Sequence, residues 1–220
     1  CSSLHFLYVT AEELPVFNSM GFLIRHSFQF HWKNKNYQDF DQFLSSLKRK
    51  RRKEIIRERK QIKEQMITVS VLEGDDITSE HITQMYKFYI STISRKWGHP
   101  YLSLDFFLRI HQTMLKRLVL ILAYVGKDCV AGSINFQKGN CLYGRYWGSK
   151  GNFRSLHFEL CYYKPIEFAI NKGISLFEAG AQGEHKIQRG FLPELTYSAH
   201  WLEHKGFRNS ISNFLEEEKE

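Results

Sequence analysis

The stretch between residues 177 and 193 carries the side chains best suited to chemistry. Three glycines separate two carboxylates, one imidazole and two cations: Glu178, Glu184, His185, Lys186 and Arg189. The apolar run 174–177 before them predicts a buried strand. Ligands of α/β sheets bind beyond the carboxyl ends of strands, so Glu178 is expected to line a reactive cavity. The alternative is that Glu178 only ties down its own loop by accepting backbone N–H bonds.

A second group of candidates lies on a predicted strand, 141–147. Strict alternation along that strand places Tyr143, Arg145 and Trp147 on one face. Arginine is seldom buried without a partner, so an arginine between two aromatic residues is unusual for a plain core. We therefore expect this face to look into a cleft that binds substrate.

The loop that follows the predicted helix 78–93 offers further polar and aromatic groups. Gly98 and Pro100 prevent the helix from continuing there. The loop side chains either form a wall of the substrate site or fill a gap between two helices, and the sequence favours neither. The candidates for substrate contact in this loop are Arg95, Trp97 and His99.

The helix predicted after the strand 141–147 is expected to kink at Pro165, because proline removes the hydrogen bond back to Cys161. The kink lies beside His157, Glu159 and Tyr162 and can aim these groups at a substrate. His157 and Cys161 are one turn apart, but no further pair of ligands accompanies them. No metal site is therefore predicted.

The net charge of +8 is concentrated in one segment of the chain. Residues 48–64 contain ten Lys or Arg and three Glu, which is a net charge of +7. We predict a helix capped by Asp39, with Gln42 in the capping-box position. Its basic face is either a solvated surface or a phosphate-binding face for RNA, a nucleotide tail or anionic lipid, and the charge excess favours the second. The residues assigned to phosphate contact are Lys48, Arg49, Arg52 and Lys53.

Composition predicts a folded protein. With 220 residues, 43% of them hydrophobic, the chain can bury the core of one sizeable domain or of one domain plus part of another. No apolar run reaches membrane-spanning length. Four cysteines without a CxxC pair argue against a zinc ribbon or a redox dithiol and indicate a reducing cytoplasm. The initial Cys1 is either the mature start of a lipoprotein or, as we favour, a start inside a longer protein.

Periodicity predicts an α+β fold. Two amphipathic helices, 78–93 and 104–116, precede three strands joined by tight turns, 118–125, 129–136 and 141–147. A helix, the strand 174–177, a further strand at 197–202 and a closing helix at 209–218 follow. This order of elements is that of an acyltransferase-type fold.

Several segments resemble one bacterial family. The segments that carry the resemblance are 47–53, 88–89, 95–98, 143–149 and 177–186. Together they look like the GNAT-related, FemAB-like group of N-acyltransferases, described as peptidoglycan biosynthesis or recognition proteins. The resemblance covers almost the whole chain. It implies a GNAT-like fold, with a mixed, mostly antiparallel sheet flanked by helices.

The resemblance also implies an organisation in two tandem GNAT-like halves. Residues 1–38 would be the remnant of the first half, residues 39–66 a basic linking helix, and residues 67–220 a complete second half. A cytoplasmic location, an amine acceptor and an aminoacyl donor carried by tRNA are further implications. The tRNA would contact the basic helix, and no tightly bound cofactor is expected.

One motif of acetyl-CoA users is not matched. These enzymes carry Arg/Gln-x-x-Gly-x-Gly/Ala after the third meander strand, whereas residues 148–154 read Gly-Ser-Lys-Gly-Asn-Phe-Arg. Backbone N–H groups of that motif hold the pyrophosphate of the cofactor. The donor therefore stays open between acyl-CoA and aminoacyl-tRNA, and the mismatch favours the tRNA.

The leading hypothesis is N-acyl transfer, in which an activated acyl or aminoacyl group forms an amide bond with an amine. This reaction needs a base, a group that stabilises the oxyanion, and exclusion of water. Glu178 is the first candidate base, and His185 or Glu184 is the second. The side chains expected to bind a carboxylate or phosphate of the substrate are Arg189, Lys186 and Arg145.

Two alternatives accompany this hypothesis. One is a non-catalytic module that binds RNA or a cell-wall precursor, which predicts salt-dependent binding without turnover. The other is that this stretch of chain is inactive alone, because its cleft needs the first half. The sequence predicts neither the acceptor, nor the acyl group, nor the oligomeric state.

Overall fold

A computed structural model of the chain describes residues 1–95, 98–180 and 183–218. The chain forms two compact units. The smaller unit comprises Cys1–Gln29 and Pro193–Glu220, and the larger unit comprises Phe30–Leu192. This division falls elsewhere than the predicted segment limits at residues 38 and 66. The assignment of those segments to two GNAT-like halves stays a prediction.

The smaller unit is built on three strands in the order β1, β8, β2, together with two helices. Its elements are β1 (Ser3–Val9), α1 (Leu14–Ser19), the first part of β2 (Leu23–Lys33), most of β8 (Leu192–Leu202) and α8 (Lys205–Glu217). Strands β1 and β8 are antiparallel, with Ser3 opposite Leu202. A two-pronged ion pair joins Arg25 of β2 to Glu218 just after α8.

The larger unit contains a mixed sheet in the order β2, β7, β6, β5, β4, β3. Its strands beside the end of β2 are β3 (Ile67–Glu73), β4 (Leu118–Val125), β5 (Asp128–Lys138), β6 (Cys141–Ser149) and β7 (Leu176–Glu178). All neighbouring pairs are antiparallel except β6 with β7, which are parallel. The predicted meander is confirmed as β4, β5 and β6.

Helices cover both faces of this sheet. They are α2 (Phe40–Ser46), α3 (Arg49–Glu64), α4 (Ser79–Arg95), α5 (Leu104–Met114), α6 (Leu156–Phe158) and α7 (Lys164–Asn171). On one face, Met85 of α4 and Phe107 of α5 pack with Leu120 and Ile134 of the sheet. On the other face, α2 and α7 pack with the aromatic end of β2. The predicted α+β class, with a mostly antiparallel sheet flanked by helices, is confirmed.

The single helix predicted after Asp39 is two helices. Asp39 caps the first, because its carboxylate accepts the backbone N–H of Gln42 at 2.7 Å. Leu47 then adopts an extended backbone conformation, which ends α2 before α3 begins. The break lets each helix bury its own apolar stripe, and Met66 at the far end is exposed rather than part of that stripe.

Pro165 follows a π-helical turn. The segment Glu159–Tyr163 is π-helical and separates α6 from α7, which has Pro165 in its first turn. A π turn accommodates a residue that cannot donate the usual helical hydrogen bond. The Leu160 carbonyl in this turn accepts a hydrogen bond from the Ser133 hydroxyl of β5 at 2.8 Å. The predicted kink is therefore a local change of helix type.

Within the described residues, no helix combines the length and the apolar character that a bilayer crossing requires.

The contact between α4 and β6 generates a stability prediction. A side chain at Gly148 would collide with the backbone of Phe88, so only glycine lets α4 approach this closely. We expect Gly148→Ala to lower the free energy of unfolding by about 1–3 kcal/mol, because overpacking forces the helix away. Urea denaturation of the variant and the parent chain measures this difference.

Gly151→Ala is the matched control, because an added Cβ there meets only ordinary van der Waals contact at 3.6 Å. Its free energy of unfolding should stay within about 0.5 kcal/mol of the parent value. Equal stability of both variants would mean that α4 does not need the close approach at residue 148.

Candidate functional site

Strands β6 and β7 separate at their carboxyl ends. Their parallel pairing covers three residue pairs, the last of which is Tyr143 with Glu178. Strand β7 stops there, whereas β6 continues to Ser149 alongside β5. A gap of about 110 Å³ opens beyond the last pair. The side chains that line it include Asn135, Arg145, Trp147, His157, Cys161 and Tyr162.

A β-bulge sits at the entrance of this gap. Ile134 of β5 is opposite Tyr146, but the next residue, Asn135, is opposite Gly144, so Arg145 has no partner on β5. Such an extra residue shifts the in–out alternation of the strand by one position. The strict alternation assumed for this strand therefore gives the wrong orientation for the residues after Arg145.

The prediction that Tyr143 and Trp147 share a face is wrong. Tyr146 turns toward the α4 side, where its ring centroid lies 5.0 Å from that of Tyr89. Trp147 turns to the opposite face and packs on His157, with ring centroids 4.7 Å apart. The bulge causes the change, and it places the indole of Trp147 at the gap.

Arg145 borders the gap from the strand edge. It is exposed, and its guanidinium lies 5.4 Å from the ring centroid of Tyr143. A hydrogen bond with Cys141, followed by burial, raises the pKa of Tyr143 to about 12. An exposed arginine held over an aromatic ring is available for an anionic substrate group, so this predicted contact keeps its geometric basis.

Tyr162 and His185 form a hydrogen-bonded pair at the gap. The tyrosine hydroxyl lies 2.9 Å from Nε2 of His185. Burial, and then the charges of Arg189 and Lys186, lower the pKa of His185. Burial raises the pKa of Tyr162. At neutral pH the imidazole is therefore neutral and the phenol protonated, and in the tautomer with its proton on Nδ1 the imidazole accepts the phenol O–H at Nε2.

The turn that carries His185 depends on a glycine. The six residues Glu184–Arg189 form a 3₁₀ helix that begins immediately after Gly183. Gly183 has φ +114°, and a Cβ there would collide with the His185 ring. The glycine thus provides both a backbone conformation and a space that other residues would deny.

Lys186 is buried beside the gap. Only 1% of the residue is exposed, and its Nζ donates to the carbonyl of Gly180 at 2.6 Å. Burial lowers the pKa of Lys186 to about 8. Burial raises the pKa of the Cys161 thiol, and the positive charge of Lys186 opposes that rise. Cys161 lines the gap. The ammonium is thus a positive charge close to the gap, held by a backbone carbonyl.

Arg189 is buried and binds other groups of the protein. Its guanidinium donates to both carboxylate oxygens of Glu58 on α3, at 2.8 and 3.1 Å, and to the hydroxyl of Tyr163 at 2.8 Å. It also donates to the carbonyl of His185 at 3.0 Å and stacks 3.6 Å from the ring centroid of Phe158. Arg189 is only 4% exposed, and these contacts hold its guanidinium inside the protein, so its predicted substrate contact is corrected to a positioning role.

Glu178 and His185 lie on opposite faces of the sheet. Phe177 packs with Phe191 in the core beside Tyr162, and the next residue of the strand points the other way. There Glu178 is 3.9 Å from the sulfur of Cys141 and 4.0 Å from Nε2 of His31. The structure thus separates two residues that the sequence analysis placed in one catalytic cluster.

The remaining candidates are scattered. Trp97 and the side chain of Glu184 lie outside the described residues. Arg95 donates to the carbonyls of Ser91 and Ser149 at the end of α4, and His99 is exposed in the following loop. Glu159 faces a different cleft, on the α3 side of the π turn.

The sequence analysis named Tyr162 only as a group that the kink could aim at a substrate and gave it no catalytic role, because its helical spacing is typical of a core residue. Glu58 was missed because a glutamate in a basic helix reads as a surface residue. Asn135 gave a usable signal, since it is a polar residue in an inward position of an apolar strand and is 1% exposed. Its Nδ2 donates to the carbonyl of Val119 at 3.3 Å.

The predicted phosphate-binding cations form one surface, which we call the basic surface: Lys48, Arg49, Arg52 and Lys53. In the described part of the chain, no carboxylate forms an ion pair with any of them. The neighbouring Arg51 donates to the side chain of Gln188 at 2.8 Å. The basic surface therefore begins beside the turn that carries His185.

Comparison with known proteins gives a consistent result. A family model named FemAB-like, described as peptidoglycan biosynthesis/recognition, matches residues 1–220. The structure of L-PGS from Bacillus licheniformis superposes with a TM-score of 0.68 at 10% identity, over 94% of this chain and 70% of that chain. FemX gives a TM-score of 0.65 at 11% identity, over 96% and 75% of the two chains. No curated protein matches the chain in sequence.

A GCN5-related N-acetyltransferase from Sphaerobacter thermophilus gives a TM-score of 0.50 at 10% identity, over 91% of this chain and 59% of that chain. Identities this low establish a shared fold and no more. The GNAT-like fold predicted from the sequence is thereby confirmed.

The Arg189–Glu58 contact generates a prediction on coupling. We expect Arg189→Ala to lower the free energy of unfolding by about 3–5 kcal/mol, because it leaves the Glu58 carboxylate buried and unpaired. Glu58→Ala combined with Arg189→Ala should lose clearly less than the sum of the single losses. A double-mutant cycle by urea denaturation measures this coupling.

Arg57→Ala serves as the control, because Arg57 is exposed on the same helix as Glu58. It should change stability by no more than about 0.5 kcal/mol. Strictly additive losses in the cycle would show that the two side chains do not interact.

Lys186 generates a prediction on pH dependence. Its pKa is about 8 in the folded chain against an ordinary value of 10.5, so between these pH values the unfolded chain binds more protons. The free energy of unfolding should therefore gain on the order of 3 kcal/mol from this residue as pH rises from 8 to 10.5. Lys186→Met should lack that rise, as measured by denaturation at a series of pH values.

Lys53→Met is the control, because Lys53 is exposed on α3. It should show the same pH profile as the parent chain. A Lys186→Met profile parallel to that of the parent would contradict the burial of a charged Lys186.

Proposed function

Because this chain belongs to the FemAB-like family, we propose that it is an N-acyltransferase that forms an amide bond between an aminoacyl or acyl donor and an amine. The observation that carries the proposal is the hydrogen-bonded pair of Tyr162 and His185 at the gap between β6 and β7. The pair supplies a neutral base and a protonated phenol, and Tyr162 itself is only 4% exposed.

The proposed chemistry moves protons through the phenol. The amine nitrogen attacks the carbonyl carbon of the donor ester or thioester, and an amine proton passes to Oη of Tyr162. The phenol proton passes at the same time to Nε2 of His185, 2.9 Å away. The protonated His185 then returns a proton through Tyr162 to the departing oxygen or sulfur. The pair thus ends in its starting state, and the products are an amide and an alcohol or thiol.

Lys186 supports the proposal as the source of positive charge. Attack on the carbonyl develops negative charge on its oxygen, and a charge buried in a water-poor site stabilises such an oxyanion strongly. The ammonium of Lys186 is buried, and it is near enough to the gap to lower the pKa of the gap-lining Cys161 against the effect of burial. Its role is electrostatic, since its Nζ is held by the carbonyl of Gly180.

The basic surface supports aminoacyl-tRNA as the donor. Its cations are exposed or half-buried and without carboxylate partners in the described residues, so they are free to bind phosphates. The contact of Arg51 with Gln188 places this surface next to the turn of His185. A tRNA bound there would have its acceptor end within reach of the gap, while residues 148–154 lack the pyrophosphate-binding pattern of acetyl-CoA users.

Glu178 is the alternative base, from the other face of the sheet. It immediately precedes Ala179, which lines the gap. An amine that approached from this face would meet Glu178 rather than Tyr162. The two possibilities require different residues for transfer, so single substitutions distinguish them.

A second candidate function is a binding module without catalysis. The basic surface also favours this function, because its cations need no transfer chemistry to hold RNA. Retention of tRNA without any labelled amide product would select this function.

The first functional prediction concerns the proposed relay. With labelled aminoacyl-tRNA or acyl-CoA and a panel of amines, Tyr162→Phe and His185→Ala should each lower kcat by about 10² or more, because each removes the path of the proton. Glu178→Gln should keep kcat within about threefold. Incorporation of label into an amide product measures the rates.

Tyr86→Phe is the matched control, because Tyr86 packs on α5 at the opposite face of the sheet. Its kcat should equal that of the parent. If Glu178→Gln abolished transfer and Tyr162→Phe did not, the base would be Glu178 and the relay would be wrong.

The second functional prediction concerns the donor. Reversing the basic surface with Lys48→Glu, Arg49→Glu, Arg52→Glu and Lys53→Glu should weaken tRNA binding at least about tenfold at 0.1 M salt, because four phosphate contacts are lost. Filter binding over a salt series measures the affinity, and the salt slope should fall as well.

The control reverses four exposed cations, two just before the meander and two at its turns: Lys116, Arg117, Lys127 and Lys138. This variant has the same net charge as the first, and it should bind tRNA with unchanged salt slope. Equal loss in both variants would indicate a nonspecific effect of net charge. Transfer from acyl-CoA that is insensitive to the basic surface would exclude tRNA as the donor.

A further inference from the structure

A row of polar side chains crosses the face of the sheet opposite His185. Strand register pairs Glu178 of β7 with His31 of β2 on one side and with Tyr143 of β6 on the other. Side chains of directly paired residues are neighbours on the same face of a sheet. The side chains of His31 and Glu178 are 13% and 23% exposed, and Tyr143 is also half-buried. A ligand in solution can therefore reach this row.

The carboxylate of Glu178 has no strong hydrogen-bond donor among the described residues. The thiol of Cys141, a weak donor, lies 3.9 Å from its Oε1, and Nε2 of His31 lies 4.0 Å from the same oxygen. The second distance is too long for a hydrogen bond. Because Glu178 is partly exposed, a ligand can supply the donor that these residues do not.

Arg145 carries the complementary charge. It is exposed, and its guanidinium lies 5.4 Å from the ring centroid of Tyr143. Its hydrogen bond goes to the carbonyl of the adjacent Gly144, at 3.4 Å. In the part of the chain that the structure describes, no carboxylate forms an ion pair with it. Its N–H groups are therefore open to the carboxylate of a ligand.

Glu178 and Arg145 lie on two sides of one tyrosine. Both charges reach the hydroxyl of Tyr143, where the carboxylate raises the pKa and the guanidinium lowers it. Glu178 is beside Tyr143 on the next strand, whereas Arg145 is two residues further along the same strand. Strands lie about 4.8 Å apart and rise about 3.3 Å per residue, which puts the Cα atoms of Glu178 and Arg145 roughly 8 Å apart. One extended ligand can therefore contact both side chains.

We propose that these two side chains bind an amino acid zwitterion, whose ammonium donates to the carboxylate of Glu178 and whose carboxylate accepts from the guanidinium of Arg145. The carbon chain between the charged ends lies against the ring of Tyr143. An ammonium ligand without a carboxylate leaves its charge beside the unpaired Arg145, and a carboxylate ligand without an ammonium leaves its charge beside Glu178. Only a ligand with both charges pairs every charge at the site.

The inference concerns binding and requires no transfer chemistry. Its anchor Glu178 is on the face opposite His185, so the site is distinct from the proposed relay. Transfer without binding of a zwitterion would contradict this inference and leave the relay standing. Binding of a zwitterion without any transfer would support this inference and count against the proposed function.

Isothermal titration calorimetry of the whole chain with 6-aminohexanoate tests the proposal. At pH 8 both ends of this flexible probe are ionised, and low ionic strength keeps screening small. We expect binding of one equivalent, with n-hexylammonium and hexanoate each at least tenfold weaker. Binding of either single-charged ligand as tightly as the zwitterion, or no binding of the zwitterion, would overturn the proposal.

Two variants test the two ends of the ligand separately. Glu178→Gln should lower the affinity for 6-aminohexanoate to about that of the parent chain for hexanoate, because only the contact with Arg145 remains. Arg145→Gln should lower it to about that of the parent for hexylammonium, because only the contact with Glu178 remains. Both side chains are partly exposed, so neither variant leaves a buried charge unpaired. Parent-like affinity in either variant would place the zwitterion elsewhere.

Glu203→Gln and Arg154→Gln are the matched controls, because both residues are exposed and neither belongs to the row. They make the same changes of charge as the two site variants. Each should bind 6-aminohexanoate within threefold of the parent affinity. A loss in a control equal to that in the matching site variant would assign the effect to net charge and overturn the proposed contacts.

Discussion

The buried contact between Arg189 and Glu58 holds the candidate site together. It joins the turn after β7 to helix α3, which lies more than a hundred residues earlier in the chain. Because Arg189 also donates to the carbonyl of His185, the position of the imidazole follows that of α3. A buried ion pair of this kind adds little net stability over an apolar pair, but it fixes one geometry at the cost of all others. The orientation of His185 toward Tyr162 is one consequence.

The sequence predicted the regular parts of the fold because they depend on local periodicity. The strands of the meander have long apolar runs bounded by tight turns, and both signals are contained within a few residues. The break at Leu47 escaped prediction, since the apolar stripe continues across it and only tertiary packing separates α2 from α3. The bulge at Arg145 escaped for a related reason: an extra residue leaves no mark in the alternation of an aromatic-rich strand.

The candidate site was predicted in composition but not in arrangement. The region of Glu178 and His185 does lie at the end of an inner strand, as the apolar run before it indicated. Alternation along a three-residue strand, however, sends Glu178 to the face opposite His185. Burial explains why two other predicted roles changed. Arg189 and Lys186 were predicted to bind the substrate, but each is at most 4% exposed. Long-range partners such as Glu58 carry no local signal at all.

Because of the π turn, side chains of one helical segment line two different cavities. In an α-helix, residues three apart lie on nearly the same face, because the helix turns every 3.6 residues. Glu159 and Tyr162 would then point to the same side. A π-helical turn has about 4.4 residues, which widens the angle between these two side chains to roughly a third of a circle. Pro165, which has no N–H to donate, is compatible with that wider turn, and the hydroxyl of Ser133 takes up the Leu160 carbonyl. Tyr162 can therefore line the gap between β6 and β7 while Glu159 lines the cleft beside α3.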